Sequence, residues 1–173
     1  AKSTYTLFSK SRPHLNFQIK IGENQLQESD TTRYLGVILD KNLTWTHHIK
    51  KIEKKVASAC WAMSRIKKYL NKDVLKTIYY ATIYPHLQNN ISSWGGVSQS
   101  KINRLIILQK RAIRIISKVD FREHSTNLFY DLKLLKLKDI HKQRLLIIMY
   151  KISNETWIGN LNLQKINQTH NYP

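Results

Sequence analysis

The sequence predicts an α+β protein that is mainly α-helical, with a small N-terminal antiparallel β-sheet or hairpin followed by a basic helical bundle. Short runs of aromatic and β-branched residues in the first 43 residues favour strands. From residue 44 onward, apolar residues recur at steps of three and four, which is typical of amphipathic helices. A net charge of +18, from 29 Lys and Arg against 11 Asp and Glu, makes that bundle strongly basic.

Three runs near the N-terminus predict strands: "YTLF" at 5–8, "LNFQIKI" at 15–21 and "RYLGVIL" at 33–39. In the second run apolar and polar residues alternate, so one face of the strand should be buried and the other exposed. Gly22 and Asn24 supply turn chemistry before the third run. Residues 1–43 are therefore expected to form one small antiparallel sheet.

The clearest helix is predicted over residues 44–70, with Thr44 as its N-cap. Its apolar stripe consists of Trp45, Ile49, Ile52, Val56, Ala59, Met63, Ile66 and Leu70. The opposite side carries Lys51, Lys54, Lys55, Ser58, Ala62, Arg65 and Lys68. This side fits a surface that a phosphate backbone could approach, and it equally fits an ordinary solvated lysine face.

A second helix is predicted over 72–84, ended by Pro85. Its inward-facing residues should be Leu75, Ile78, Tyr79 and Thr82. The dipeptide Gly95–Gly96 predicts a break before the next helix.

A third helix is predicted over 99–117, with Ser98 as its N-cap. Its stripe is Ile102, Leu105, Ile106, Gln109, Ala112, Ile113 and Ile116. Gln109 is polar within that stripe, so its side chain is expected to form a hydrogen bond with a buried backbone group or with a neighbouring helix. Off the stripe lie Lys101, Arg104, Lys110, Arg111, Arg114 and Lys118.

Two helices near 126–132 and 138–153 and an irregular tail complete the chain. We therefore divide it into a β part at 1–43, a helical bundle at 44–118, and a helical extension with tail at 119–173. The longest unbroken apolar run, 145–150, is far shorter than a membrane span, so no membrane partner is expected. The single cysteine, Cys60, lies on an apolar helix face, which predicts a core residue and a reducing, intracellular compartment.

The charge makes nucleic acid the leading partner, because self-repulsion of this size needs a polyanion or counter-ions. Residues that could catalyse a reaction are harder to find in the sequence. Glu28 and Asp30 are the closest acidic pair, and they suit a turn better than a metal site. Adjacent His47 and His48 cannot both face one metal from a helix. The sequence therefore predicts no metal site and no complete active site in this chain.

A family resemblance is carried by "RYLGVILDKNLTWTHHIKKI" at 33–52. This stretch resembles the segment after the polymerase active site in reverse transcriptases of jockey-like, non-LTR retrotransposons, where the chain passes from the primer-grip hairpin of the palm into the thumb. The pattern is filled by Tyr34, Leu35, Gly36, Val37, Asp40, Leu43, Trp45, His48 and Ile49. Further matches are "IYYATIYPHLQNNISSWGG", "LIILQKRAIRII", "LKLLKLKDI" and "THNYP".

The resemblance implies a C-terminal fragment of an RNA-directed DNA polymerase, comprising the end of the palm, the thumb and a post-thumb region. The catalytic Tyr-x-Asp-Asp strand and the Mg²⁺ it binds would belong to the part upstream, so no cofactor is expected on this chain. Lys2 falls on a lysine thought to protonate pyrophosphate in polymerases. Tyr34, Leu35 and Gly36 would form the primer grip, although core packing explains Leu35 equally well.

The expected partners are an RNA/DNA template–primer duplex and the missing palm and fingers of the same polymerase; a nuclear location would be compatible. Trp45 and Trp94 should anchor the thumb core rather than stack on bases. The cations expected to hold the nucleic-acid backbone are Lys51, Lys54, Lys55, Arg65, Lys68, Lys101, Arg104, Lys110, Arg111 and Arg114. The alternative is a stand-alone helical protein-interaction module or degenerate retroelement product.

Overall fold

The computed structural model describes residues 3–8 and 18–154. These residues contain six short strands and seven helices, joined by turns and loops. The strands are β1 Thr4–Tyr5, β2 Lys20–Ile21, β3 Asn24–Gln25, β4 Gln27–Glu28, β5 Thr31–Tyr34 and β6 Val37–Asp40. The helices are α1 Thr46–Ile66, α2 Lys72–Thr82, α3 Tyr84–Gln88, α4 Ile91–Trp94, α5 Gln99–Ser117, α6 Ser125–Asp131 and α7 Leu137–Ser153. The predicted fold class, α+β and mainly α, is confirmed.

The strands form three separate pairs instead of the single antiparallel sheet predicted. β1 pairs with β4 in parallel, whereas β2–β3 and β5–β6 are antiparallel hairpins. The alternation predicted for 15–21 is wrong where the structure describes it, because Ile19 and Ile21 are both exposed. The β2–β3 hairpin presents neither face to the buried cluster formed by the helices, so alternation in the sequence finds no core there.

The run 33–39 was predicted as one strand, and this prediction is wrong. Tyr34 pairs with Val37, and Leu35 and Gly36 between them have φ angles of 45° and 83°. Positive φ at both central residues is the requirement of the tight turns that join twisted hairpin strands. Gly36 therefore reverses the chain in the middle of the apolar run.

Helix α1 buries the predicted stripe at Ile49, Ile52, Val56 and Met63, and buries Cys60 beside it. The predicted N-cap is wrong. Trp45 takes that position with φ 65°, and no side chain caps the helix there. The reason lies upstream, because the carboxylate of Asp40 already accepts hydrogen bonds from the backbone N–H groups of Thr44 and Trp45, both at 2.9 Å.

Helix α2 starts as the sequence predicts but ends two residues earlier. Asn71 caps it by accepting a hydrogen bond from Val74 N–H at 2.9 Å. Thr82, predicted to face inward, is exposed, and Ile83 is buried in its place. Pro85 stands in the first turn of α3, where a missing N–H costs no helical hydrogen bond.

Helix α5 has the predicted bounds and packs alongside α1 at the centre of the bundle. Of its predicted stripe, Ile106 is only half-buried, while Leu108 and Ile115 are buried in addition. Ser98 occupies the N-cap position, yet its hydroxyl lies 3.0 Å from that of Ser100 instead of bonding to the helix backbone.

The polar Gln109 and the small Gly95 each determine how neighbouring helices contact one another. The Gln109 amide donates to the Tyr79 hydroxyl and to the Leu135 carbonyl, both at 3.0 Å, and its oxygen accepts from Leu137 N–H at 2.9 Å. This matches the role predicted for it. Gly95 lets α4 approach α7, since a Cβ atom there would lie 2.6 Å from the His141 ring.

One hydrophobic core holds the helices together. Trp94 and Tyr79 are its largest members, and both are completely buried. The same cluster includes Phe129, Leu137 and Ile140 from α6 and α7. Burying one large apolar side chain contributes roughly 1.5–3 kcal/mol, so the bundle gains most of its stability from these contacts.

Candidate nucleic-acid interface

The predicted primer grip lies at the exposed tip of the β5–β6 hairpin. Tyr34 and Leu35 expose 66% and 81% of their surface, so neither is a core residue. Leu35 holds a left-handed backbone conformation that disfavours residues with a Cβ atom by about 1 kcal/mol or more. An exposed apolar side chain on a strained turn is a feature that packing within the described residues does not explain.

Lys51 joins this turn to α1. Its ammonium group donates a hydrogen bond to the Gly36 carbonyl at 3.2 Å. Burial lowers the pKa of Lys51, and the nearby charges of Arg33 and Lys55 lower it further. The pKa of His86 on α3 is lowered by burial and by Lys55 and Lys51. The charges of Arg33 and Lys55 thus act on Lys51, and those of Lys55 and Lys51 act on His86. We call these four basic side chains, at and beside the hairpin, the hairpin cation group.

The junction between β6 and α1 is held by two buried polar side chains. Burial by itself would raise the pKa of Asp40, but hydrogen bonds from Thr44, Trp45 and Asn42 outweigh it and lower that pKa. His48 accepts a hydrogen bond from Ile38 N–H at 3.3 Å through Nδ1, and its ring meets Trp94 edge-on. Burial and the charge of Lys51 lower the pKa of His48, which favours the neutral ring. These contacts fix the hairpin against α1.

The predicted cations of α1 stand almost entirely in solvent. Lys54, Lys55, Arg65 and Lys68 are exposed, and Lys51 is half-buried. The only acidic residue of α1 is Glu53, and its side chain points toward Arg104 of α5 at 3.9 Å. The outer side of α1 thus has no carboxylate of its own to neutralise its cations.

Some of the predicted cations of α5 contact other parts of the chain, whereas others are exposed. Lys101 donates to the Thr44 carbonyl at 3.0 Å, and Arg104 faces Glu53, so both contact α1 or the segment entering it. Arg114 donates to the Glu123 carbonyl at 2.7 Å, toward α6. Lys110 and Arg111 are exposed. Hence α5 contributes fewer cations that point freely into solvent than its sequence suggests.

Cys60 and the two predicted anchor tryptophans behave as structural residues. Burial raises the pKa of Cys60 to about 11, with Arg111 opposing the shift, so the thiol stays protonated at neutral pH. Its sulfur donates to the Leu108 carbonyl at 3.5 Å. Trp94 is fully buried and donates from its indole nitrogen to the Asn89 carbonyl at 2.9 Å, while Trp45 is half-buried.

Trp61 is a surface residue that was not predicted from the sequence. It exposes 61% of its surface on the basic side of α1, and the Arg65 guanidinium lies 5.7 Å from the centre of its ring. The signal was present in the sequence: Lys54, Ser58, Trp61, Arg65 and Lys68 recur at steps of four and three, as a second stripe that follows α1 and ends in the turn just after it. We call these five residues the outer stripe.

Metal chemistry finds no support in the described residues. No three His, Cys, Asp or Glu side chains in residues 3–8 and 18–154 converge on a point where an ion could bind. Asp30, from the acidic pair considered above, forms an ion pair with Lys41 at 2.6 Å.

The predictions for Lys2 and the C-terminal tail are not tested by the structure, whereas the prediction about membrane spans concerns helices that it describes. Lys2, the tail after residue 154 and the "THNYP" match lie outside the described residues. Within the described part, none of the helices combines the length and the apolar character that crossing a membrane requires.

Comparison with known proteins finds polymerases of mobile elements. The probable RNA-directed DNA polymerase from transposon X-element of Drosophila melanogaster is 30% identical over 125 residues, which are 70% of this chain and 14% of that protein. The probable RNA-directed DNA polymerase from transposon BS of the same fly is 29% identical over 113 residues, 63% of this chain and 12% of its own length. The RNA-directed DNA polymerase from mobile element jockey, also from that fly, is 28% identical over 125 residues, 70% of this chain and 14% of its own.

The chain thus spans about one seventh of the length of these relatives. No protein-family model and no solved structure matches it. The resemblance predicted from the sequence is nevertheless confirmed by relatives that all carry the same activity in their names. In sequence, the chain is a relative of the reverse transcriptases of jockey-like, non-LTR retrotransposons and corresponds to a part of such a polymerase.

Proposed function

We propose that this chain is the thumb-like part of a retrotransposon reverse transcriptase and holds the template–primer duplex by its sugar–phosphate backbone. The observation that carries the proposal is the outer side of α1, where the cations are exposed and the only carboxylate of the helix, Glu53, points away toward Arg104. This side lies next to the exposed tip of the β5–β6 hairpin. Backbone contacts position a duplex without reading its sequence. Bond making would belong to the palm, with its Mg²⁺, in the complete polymerase.

The hairpin cation group supports the same proposal. Arg33, Lys51, Lys55 and His86 come from three different elements. Burial lowers the pKa of Lys51 and of His86, and the neighbouring cations of the group lower both pKa values further. A phosphate group placed among them would relieve this repulsion, because an opposite charge within a few ångströms favours the charged form. The exposed Tyr34 and Leu35 at the adjacent turn would then contact the nucleotide that carries the phosphate.

The proposal is tested by a salt titration of duplex binding. A fluorescein-labelled 20-base-pair RNA/DNA hybrid should bind with an affinity that falls steeply as salt rises. Replacing Lys54, Lys55 and Arg65 together by Ala should reduce the slope of log K against log salt by about 0.7 to 0.9 for each phosphate that the variant no longer neutralises. These side chains are exposed, so the urea midpoint of unfolding should stay unchanged.

The matched control removes the same charge elsewhere. Lys136, Lys138 and Lys142 lie near and along α7, and their replacement by Ala leaves α1 intact. This control should keep the original slope. Equal slopes for the two triple variants would mean that binding follows net charge alone and would refute a specific role for α1.

A second candidate function, binding of another protein, is favoured by α7. Leu146, Met149 and Tyr150 expose 65%, 63% and 69% of their surface, although the inner side of the same helix packs against α3 and α4. Residues 145–150 of α7 are an unbroken apolar run and so are apolar on every side. Such a stretch of helix is normally covered on every side. A cavity of about 610 Å³ beside it has an apolar lining that includes Leu135 and Leu146, and its charged lining residues are Lys142, Lys151 and Asp139.

We propose an acidic amphipathic helix of another protein as the partner at this surface, because two lysines stand against one aspartate in the cavity lining and a second copy would bring its own lysines. A synthetic 18-residue helix with a Leu face and Glu flanks should bind more tightly than the same peptide with Lys flanks. Replacing Leu146 and Tyr150 by Ser should abolish the binding. Equal affinity for both peptides would rule out this candidate.

A further inference from the structure

We infer that Trp61 and Arg65 form a stacking site for an unpaired nucleobase, so that the chain binds a duplex with a single-stranded extension more tightly than a blunt duplex. The inference rests on the proposed function, since it places an additional contact on the same surface of α1. It names a structural feature of the nucleic acid, the unpaired base, that backbone contacts alone do not select.

The first step of the argument is the exposure of the indole. Of the tryptophans in the described residues, Trp94 is fully buried and Trp45 is half-buried, whereas Trp61 keeps 61% of its surface in solvent. Leaving an aromatic ring in water forgoes the free energy of burying it. The bundle core does not use Trp61, so the ring remains available for a ligand.

The second step is the chemical surrounding of the ring. Its neighbours along the outer stripe are Lys54, Ser58, Arg65 and Lys68, and Ala62 beside it is small and exposed. Small residues near the ring leave room for a flat ligand to reach it.

The third step is the match between this surrounding and one ligand class. Aromatic side chains set in a cationic groove are the usual way in which proteins bind single-stranded nucleic acid, because every base has a face for stacking and every nucleotide a phosphate. In a duplex the bases are stacked on one another, and their faces are not accessible to a side chain. Trp61 can therefore select an unpaired base, while the cations hold its backbone.

The stripe also contains an arrangement that prepares the site. The Arg65 guanidinium lies over the indole ring, 5.7 Å from its centre. A planar guanidinium can stack on a base as well as on an indole. Arg65 can thus remain beside the ring and contact either the inserted base or its phosphate.

The test compares three labelled ligands with the full chain: a blunt RNA/DNA hybrid, the same hybrid with a four-nucleotide RNA overhang, and a single-stranded RNA of 12 nucleotides. Trp61→Ala should weaken binding of the overhang hybrid and the single strand by roughly 5- to 100-fold, and of the blunt hybrid by less than 2-fold. Trp61→Tyr should restore most of the loss, because it retains an aromatic ring.

A matched control is available at Phe121, which exposes 73% of its surface and has the Arg122 guanidinium 5.2 Å from its ring centre. Phe121→Ala should leave all three affinities unchanged, and the urea midpoints of both Ala variants should equal that of the original chain. An equal loss on all three ligands, or no loss on any, would overturn the stacking site while duplex binding persists. Failure of the unaltered chain to bind any of the three would instead overturn the proposed function.

Discussion

Lys51 is the residue at which the fold and the proposed interface cannot be separated. Its ammonium group bonds to the Gly36 carbonyl of the hairpin turn, and it also faces Arg33 and Lys55. Replacing Lys51 would therefore alter the position of the hairpin as well as the charge of α1. For this reason its neighbours Lys54, Lys55 and Arg65 are better probes of nucleic-acid binding.

Leu35 allows stability and function to be tested separately. Leu35→Asn should stabilise the chain by about 1 kcal/mol, because Asn tolerates positive φ and Asn-Gly is a preferred two-residue hairpin turn. If the exposed Leu35 side chain contacts the primer end, the same variant should weaken binding of the RNA/DNA hybrid. Urea unfolding and fluorescence anisotropy measure the two effects.

The control for this prediction is Leu43, which also has positive φ, at 51°, and is half-exposed outside the hairpin turn. Leu43→Asn should relieve backbone strain without changing hybrid affinity. A Leu35→Asn variant that is more stable and binds the hybrid as well as the original chain would remove Leu35 from the primer grip.

At the scale of elements, the sequence predicted helices better than their connections. The bounds of α5 follow from a regular apolar stripe over its 19 residues. Even the polar Gln109 within that stripe was predicted to form hydrogen bonds with a buried backbone group or a neighbouring helix. The strand pattern missed the β5–β6 turn, because Leu35 and Gly36 interrupt an apolar run that reads as one strand, whereas the family resemblance did imply a hairpin at these residues. Local composition does not reveal such a turn, since it depends on the hairpin packing against α1.

The start of α1 illustrates the same limit. Thr44 is a good N-cap by residue type, but Asp40 reaches its backbone N–H and that of Trp45 from four and five residues upstream. The outer stripe was predicted in part: its cations were identified, whereas Trp61 was not, because the main apolar stripe gives no information about a residue on the opposite side of the helix. A second periodic pattern on the outer side of a helix is the signal that would have revealed it.

Asp40 gives the junction a measurable pH dependence. Its folded-state pKa is lowered, so its stabilising contribution is complete above the unfolded pKa, near 3.8, and is lost as the pH falls through the folded value. Asp40→Asn should cost about 1–2 kcal/mol at pH 7, because the amide group cannot accept both N–H bonds. Below pH 3.8 the difference between the two proteins should shrink in urea titrations. A difference that stays constant well below that pH would contradict this role.

The contact between α4 and α7 depends on one glycine and not on the next. A Cβ atom at Gly95 would lie 2.6 Å from both the His141 ring and the Ile91 carbonyl, whereas at Gly96 the nearest atom would be 3.8 Å away. Gly95→Ala should therefore destabilise the chain by about 1–3 kcal/mol, the usual cost of overpacking. Gly96→Ala should change the free energy of unfolding by less than about 0.5 kcal/mol. Similar urea midpoints for the two variants would show that α7 can move away at little cost.

At the scale of the whole molecule, charge should make folding and binding respond to salt in opposite directions. A net charge of +18 repels itself, and the ion pairs between described side chains, Lys41–Asp30 and Arg104–Glu53, offset little of it. Salt screens this repulsion over about 10 Å at 0.1 M. Raising NaCl from about 20 to about 300 mM should therefore increase the Tm of the free chain by a few degrees, equivalent to about 1 kcal/mol, while hybrid affinity falls.

With the RNA/DNA hybrid bound, the Tm should fall rather than rise as the salt concentration increases. At low salt the bound polyanion already neutralises the outer side of α1, and a ligand that binds only the folded chain raises its Tm by mass action. The Tm of the complex should therefore fall as salt releases the hybrid, until it meets the rising curve of the free chain. If the Tm of the free chain is independent of salt, the cations are already compensated within the fold, and the outer side of α1 is not the open positive surface on which duplex binding depends.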